Sequence, residues 1–327
     1  MTAARTTIHD VARLAGVAPS TVSRAMTGGI VSPSTRQAVL AAADRLGYRP
    51  NPQARGLVTG RTGTLGLVVP DLRNPFFADV AKGVSVRAHA LGVQVFIADT
   101  DEDPRAESEA IRSLVGGSDG LVLCSPRTPD DELAALLGAQ AIVTVHRRLP
   151  GLPSVTADLV GGTHQAVAHL KALGHTRIAY VHGPQASWAD AQRTAGLTDE
   201  APETLPFGPV APTFDGGVAI ADVVLASGAT AVIAYNDLVA LGVLHRLAAR
   251  GVRVPDDLSI VGYDDVPAAA WVSPPLTTVN VPKGKAGIAA VDLMWRTLAA
   301  SGGGQPEQVE LPTGLVVRGS TGIAPTR

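Results

Sequence analysis

The chain has 327 residues, enough for two or three domains, and it is 46% apolar against 17% charged, which excludes a disordered chain. Its net charge of −2 joins two unlike parts: residues 1–61 carry eight arginines against Asp10 and Asp44, so this segment is +6 and the remainder is −8. The single cysteine, Cys124, excludes an internal disulfide, Cys and His at zinc-finger spacing are absent, and no apolar run reaches the roughly 18 residues of a membrane span. The opening Met-Thr-Ala-Ala-Arg lacks the apolar stretch of a signal peptide, so a cytoplasmic location is expected.

In the basic segment, Thr7-Ile8-His9-Asp10 fits a capping box, and Val11, Leu14 and Ala15 recur at helical spacing before Gly16, which predicts a helix over 8–15. After the turn Gly16-Val17-Ala18, Pro19 suits a first helical position, and Val22, Ala25 and Met26 mark the apolar stripe of a second helix. Ser32 as N-cap and Pro33 open a third, which Gly47 and Pro50 close. The first two helices, joined by a tight turn, form a helix-turn-helix. On the second, Ser20, Thr21, Ser23 and Arg24 would face outward, either toward base edges and phosphates or as the soluble face of an ordinary bundle. A helix over residues 52–58 would have some seven residues, below the roughly 12 to 15 that hold alone in water. Either a partner orders them, with Leu57 inserted in a minor groove, or they are a plain linker.

The ordered series Thr7-Ile8-His9-Asp10-Val11-Ala12-Arg13-Leu14-Ala15-Gly16-Val17, Thr21-Val22-Ser23-Arg24, Leu46-Gly47-Tyr48-Arg49-Pro50-Asn51 and Leu57 resembles the DNA-binding head and hinge of the LacI family of bacterial transcriptional regulators. The resemblance continues through Asn74-Pro75-Phe76-Phe77, Asn236-Asp237, Val261-Gly262-Tyr263-Asp264-Asp265 and Pro274-Pro275-Leu276-Thr277-Thr278, over nearly the whole chain. It implies DNA contacts from Thr7, Pro19, Asn51, Ala54 and Leu57 besides the four residues of the second helix. Ala18 departs from the serine of many relatives, which removes a side-chain N-cap worth about 1 kcal/mol.

From Thr64 onward, apolar runs at Leu65–Val69, Val93–Ala98, Leu121–Leu123, Ala141–Val145, Ile178–Val181, Ala231–Ala234 and Ile260–Tyr263 alternate with helix-length stretches. That pattern predicts an α/β body of two doubly wound lobes whose parallel sheets are covered on both faces. The resemblance adds a periplasmic-binding-protein-like fold with an effector between the lobes. It implies domains at 1–51 (head), 52–63 (hinge helix and linker) and 64–327. Lobe one takes about 64–159 and 283–309, and lobe two about 160–282 and 310–321.

Catalytic patterns fail on context. Gly116-Gly117-Ser118-Asp119-Gly120 satisfies G-x-S-x-G, but a strand follows it where a nucleophile elbow needs one before. Asp99, Asp101 and Asp103 imitate an EF-hand, yet Pro104 replaces the turn glycine and Ala110 the bidentate glutamate, so they are expected to end a strand and cap a helix. His164 and His169, five apart, do not share a helix face. No enzyme, metal or cofactor is expected.

Polar and aromatic residues near strand ends remain: Asp71, Phe76, Phe77, His146, Arg193, Phe214, Asn236 and Asp264. Paired donors and acceptors beside a flat apolar face suit a sugar-like metabolite. The resemblance implies effector contacts from Arg193, Asn236 and Asp264 and aromatic stacking from Phe214. Phe76 and Phe77 could equally pack in the core, Asp71 could cap a helix, and His146 stands where many relatives carry Asp or Asn. Pro202 and Pro206 should stop the helix that carries Arg193, leaving one wall of the cleft open or remodelled. The expected function is a homodimeric repressor on double-stranded operator DNA, switched by a small sugar-like effector and without contact to a membrane. The alternative is a sugar-binding protein with no role in gene regulation.

Overall fold

Three helices build the head in the computed structural model, which describes residues 6–26, 28–49, 62–137, 140–299 and 305–326. They are α1 (Ile8–Ala15), α2 (Pro19–Met26) and α3 (Pro33–Arg45). Asp10 Oδ2 accepts both the backbone N–H and the hydroxyl of Thr7, at 3.0 and 2.7 Å, which fixes the start of α1. Gly16 ends it at φ +66°, a left-handed position that favours glycine. Ser32 accepts the Thr35 N–H at 3.1 Å and starts α3. Val11, Ala12, Val22, Ala25, Val39, Ala42 and Ala43 form the shared core. Leu14, expected on the inner stripe of the first helix, is instead exposed, as is Leu40 on α3. The expected helix over 52–58, with Asn51, Ala54 and Leu57, lies outside the described residues.

The chain divides into residues 1–62 and 63–327. The second unit holds two six-stranded sheets. The first has β1 (Thr64–Val69), β2 (Gln94–Asp99), β3 (Gly120–Cys124), β4 (Ile142–Val145), β5 (Ser154–Ala157) and β11 (Gln308–Leu311), in the order β11-β5-β4-β3-β1-β2 and parallel throughout. The second has β6 (Ile178–Val181), β7 (Leu205–Phe207), β8 (Ala231–Ala234), β9 (Ser259–Asp264), β10 (Thr277–Asn280) and β12 (Gly314–Val316), ordered β12-β10-β9-β8-β6-β7, with only β12 antiparallel to its neighbour.

Helices between the strands are α4 (Pro75–Ala90), α5 (Pro104–Leu114), α6 (Asp130–Leu137), α7 (Leu159–Ala172), α8 (Trp188–Glu200), α9 (Phe214–Ala226), α10 (Asp237–Ala249), the short α11 (Ala268–Trp271) and α12 (Lys283–Ala299). α4 and α12 meet backbone to backbone, and a Cβ on Gly83 would stand 2.2 Å from Gly284 O. The chain passes between sheets three times, at Asp158, at Val281-Pro282 and at Pro312-Thr313. β11 therefore lies whole in the first sheet and runs two residues beyond the expected boundary at 309.

One expectation of double coverage fails at β2, the edge strand, where Phe96 is 55% and Ile97 43% exposed. The short strands β5, β7, β10 and β11 were not legible, because their residues include Ser154, Thr156, Pro206, Thr277, Thr278 and Glu310 rather than an apolar run, and β12 was missed because it spans only Gly314–Val316. The helix carrying Arg193 does stop before Pro202, at Glu200, and Ala201 N–H caps it on Leu197 O. No helix among the described residues is long and apolar enough to cross a membrane.

Candidate functional site

On α2 of the head, Val22 and Ala25 face the core, which turns Ser20, Ser23 and Arg24 to the exposed side, with Pro19 and Thr21 half-buried beside them. Thr7 is exposed at the start of α1. The polar set thus shares one face, as a recognition helix requires. Arg36 is committed inward, donating to Ala25 O at 2.6 Å and Gly29 O at 2.7 Å, so it braces the turn between α2 and α3. Arg13, Arg24, Arg45 and Arg49 remain exposed.

In the body, a cleft gathers residues from the carboxyl ends of strands in both sheets, where open α/β sheets hold ligands. Its walls include Phe76, Phe77, His146, Arg193, Asn236 and Asp264, all expected from the sequence. Glu102, Ser125, Arg127 and Tyr235 also line it and were missed. The signal that could have found Ser125 and Arg127 is the one that found His146 and Asp264: a polar residue directly after an apolar strand. Phe214 does not line the cleft. Phe214 is 39% exposed and its ring lies 5.4 Å from that of His245, while Pro212 takes the lining place.

The centre is the pair Arg193–Asp264, both fully enclosed, with Nη2 to Oδ1 at 3.5 Å. Arg193 also donates to Tyr235 O, and its guanidinium sits 3.8 Å from the centroid of the Tyr263 ring. Burial pushes the Asp264 carboxyl up to about 7, against the opposing pull of Arg193 and Lys283. Burial also lifts Asp237 to about 8, with the charge of Asp264 adding to it, while Thr278 Oγ1 and Val266 N donate to its carboxylate at 2.6 and 2.8 Å. His146 falls to about 3 through burial and then the charges of Arg193 and Lys283, so its ring is neutral. The Nε2 of His146 and the Nε of Arg193 are buried with no hydrogen-bond partner. Two orphaned polar atoms, one from each lobe, mark this as a place for a polar ligand.

Asn236 caps α10 by accepting the Val239 N–H at 2.9 Å and donates to Pro212 O at 3.0 Å, so only part of its amide is left for a ligand. Phe76 and Phe77 do both things the sequence allowed: they line the cleft and pack in the core as an edge-to-face pair 5.1 Å apart. Ser125, His146 and Asp264 hold φ of +46°, +55° and +114°, strained positions for non-glycine residues that cost on the order of 1 to 3 kcal/mol each.

Other candidates resolve structurally. Ser118 donates its hydroxyl to Leu114 O at the end of α5. Asp103 caps α5 by accepting the Arg105 N–H, and Asp99 closes β2. Asp71 accepts from Arg73 N and Nε, and Arg73 also pairs with Asp101, so a cation already serves the acidic cluster of Asp71, Asp99 and Asp101. His169 bonds Thr321 while His164 faces Asp199, so the two histidines serve different contacts.

A basic helix-turn-helix unit and a two-lobed binding unit on one chain define a ligand-responsive DNA-binding protein. Residues 7–51 match the model of bacterial regulatory proteins of the lacI family, and residues 167–321 match a periplasmic binding protein-like domain. The chain is 35% identical over 335 residues to the HTH-type transcriptional regulator DegA of Bacillus subtilis, covering 97% of this chain and 98% of that one. It is 37% identical over 340 residues to the HTH-type transcriptional regulator CelR of Thermobifida fusca, with the same coverages. Among solved structures it is similar to a CelR–cellobiose complex (TM-score 0.71, 34% identity, 97% of this chain and 100% of that one). It also matches a lac repressor dimer bound to operator and the anti-inducer ONPF (TM-score 0.85, 28% identity, 98% and 100%). The chain belongs to the LacI family of bacterial transcriptional regulators.

Proposed function

We propose that the protein is a homodimeric repressor whose grip on a pseudo-palindromic operator is changed by a sugar-like effector bound between the lobes. The observation that carries this is the convergence of Arg193, Asp264, Asn236 and His146, from both sheets, on one buried cleft in a chain whose other unit is a basic helix-turn-helix. Effector and operator act on one equilibrium, so each must change the other's affinity by the same factor. The relatives support the reading, since one solved neighbour holds cellobiose and another is a dimer on operator DNA. Asn51, Ala54 and Leu57 join the DNA contacts in this proposal. Footprinting on genomic DNA, followed by titration of sugars into the protein–operator complex, tests it. Retention of the operator at every sugar tested would remove the sugar effector, and absence of any protected site would remove the repressor.

The dimer reading draws on β2, whose exposed Phe96 and Ile97 form an apolar edge that a monomer would leave wet. Phe96→Asp is expected to shift the sedimentation profile toward monomer and to weaken operator binding with it. An unchanged profile would place the dimer contact elsewhere.

Effector affinity should depend on pH. A sugar hydroxyl donates better to a carboxylate than to a carboxylic acid, and Asp264 gains its charge near pH 7. Affinity is therefore expected to rise with pH by up to about tenfold per unit below 7 and to level off above it. Asp237, Arg193 and Lys283 are the charged groups that act on this carboxyl or share its surroundings. Titration from pH 5.5 to 8.5, with Asp264→Asn as the variant that lacks the ionisation, checks the slope; the same slope in the variant would assign it to another group.

A further inference from the structure

The lobe-one wall of the cleft contains an ion pair that neither the sequence nor the family match assigned. Arg127, 4% exposed, donates from Nε and Nη2 to the two carboxylate oxygens of Glu102, at 2.6 and 3.1 Å, and from Nη1 to Ser125 O at 2.8 Å. A guanidinium has five N–H donors, so three are engaged and two remain. The pair is rigidly held. Glu107 accepts the backbone N–H of Arg127 and Thr128 at 2.8 and 2.9 Å, and Arg147 donates to Pro126 O and Thr128 O on the same loop. Glu102 follows Asp101 at φ +61° after +49°, two successive left-handed non-glycine residues that turn the chain to present its carboxylate.

We propose that Glu102 makes this cleft select an uncharged effector over a phosphorylated or acidic one, by cancelling the charge of Arg127 while leaving its two remaining donors for a hydroxyl. The inference rests on the sugar-effector reading above and deepens it. Glu102 cancels Arg127 in the lobe-one wall, Asp264 cancels Arg193 once its carboxyl ionises above about pH 7, and His146 is neutral, so the described lining residues sum to zero at pH 8, where the titrations below are made. Helix N-termini, the other common source of anion affinity, are closed here. α4 begins with Pro75, which has no N–H, and Asn74 accepts the Phe76 N–H at 3.0 Å. Asn236 caps α10 and Asp237 places a carboxyl in its first turn. A phosphate dianion seated against Arg127 would have to displace or lie beside Glu102, a desolvated like charge.

The test is calorimetric titration of the full chain at pH 8 with glucose, galactose, ribose and cellobiose and with the phosphate ester of each. Wild type is expected to bind at least one uncharged sugar and to bind its phosphate ester at least about tenfold more weakly. Glu102→Gln, which keeps the size and removes the charge, is expected to narrow or invert that ratio by about tenfold or more through a gain for the ester. Glu102→Asp, which keeps the charge, is expected to retain the preference. A wild type that prefers the ester overturns the inference while leaving a sugar effector in place, and an equal ratio in wild type and Glu102→Gln overturns the role of Glu102. Binding of none of the eight compounds removes both the sugar reading and this inference. Should Glu102→Gln not fold, the wild-type ratio and Glu102→Asp still decide.

Discussion

Between about 50 and 200 mM salt, operator affinity is expected to fall roughly a thousandfold or more, provided that six or more phosphates are contacted. The physical basis is the release of counterions condensed on the duplex as arginines replace them. Each chain carries eight arginines within residues 1–61, six of them in the head, and a dimer brings two such segments. Arg36 must be left out, since both its terminal nitrogens are bound to backbone carbonyls inside the head. Arg36→Ala should therefore destabilise the head while leaving the salt slope of the folded protein close to wild type, whereas Arg24→Ala should reduce the slope by about one. Fluorescence anisotropy at a series of salt concentrations reads both. A flat response in the wild type would remove DNA binding by this head.

Asp264→Ala is expected to be the more damaging of two substitutions at one ion pair. Arg193 keeps its charge at any pH a protein meets, so deleting Asp264 strands a buried cation at a cost of about 3 to 5 kcal/mol. Arg193→Ala leaves Asp264, which already holds its proton up to about pH 7 and can stay neutral. Urea unfolding at pH 8, where Asp264 is charged in the wild type but can take up a proton once the pull of Arg193 is gone, should therefore rank wild type, Arg193→Ala and Asp264→Ala in falling order. Both variants should need at least about tenfold more effector to change operator affinity. Equal destabilisation would show that the charges are not what the site balances. The pH dependence of stability has a defined sign here. The folded pKa values of Asp264 and Asp237 are raised, so their contribution is full below about pH 4 and is lost as pH climbs through 7 and 8.

Much of this was legible in sequence because local chemistry and global packing agree. Thr7 and Asp10, Gly16, Ser32 and Pro33 mark helix ends by groups that must be satisfied whatever the tertiary context, and the apolar runs of the central strands report burial on both faces. Strand ends gave away His146 and Asp264 for the same reason. Glu102 and Arg127 were not visible, because each lies in a polar loop and gains meaning only from the other, 25 residues away. Phe214 was placed by family likeness. The segment before it, flagged by Pro202 and Pro206, leads to a ring that stands outside the cleft. The edge β2 shows a limit of another kind: an apolar run reports that a surface will be covered, without saying that the same chain covers it.

The three passages between the sheets also fix an order of events during synthesis. The head draws its whole core from residues 8–48, so it can close while most of the chain is still unmade. Neither lobe has that freedom. β5 must wait for β11, and β10 must wait for β12, so both sheets lack their last strand until residues 308–316 have left the ribosome. Each nascent chain thus offers a finished DNA-binding head before it has a body able to sense anything, and a message cut short upstream of residue 308 would yield heads that no effector could govern.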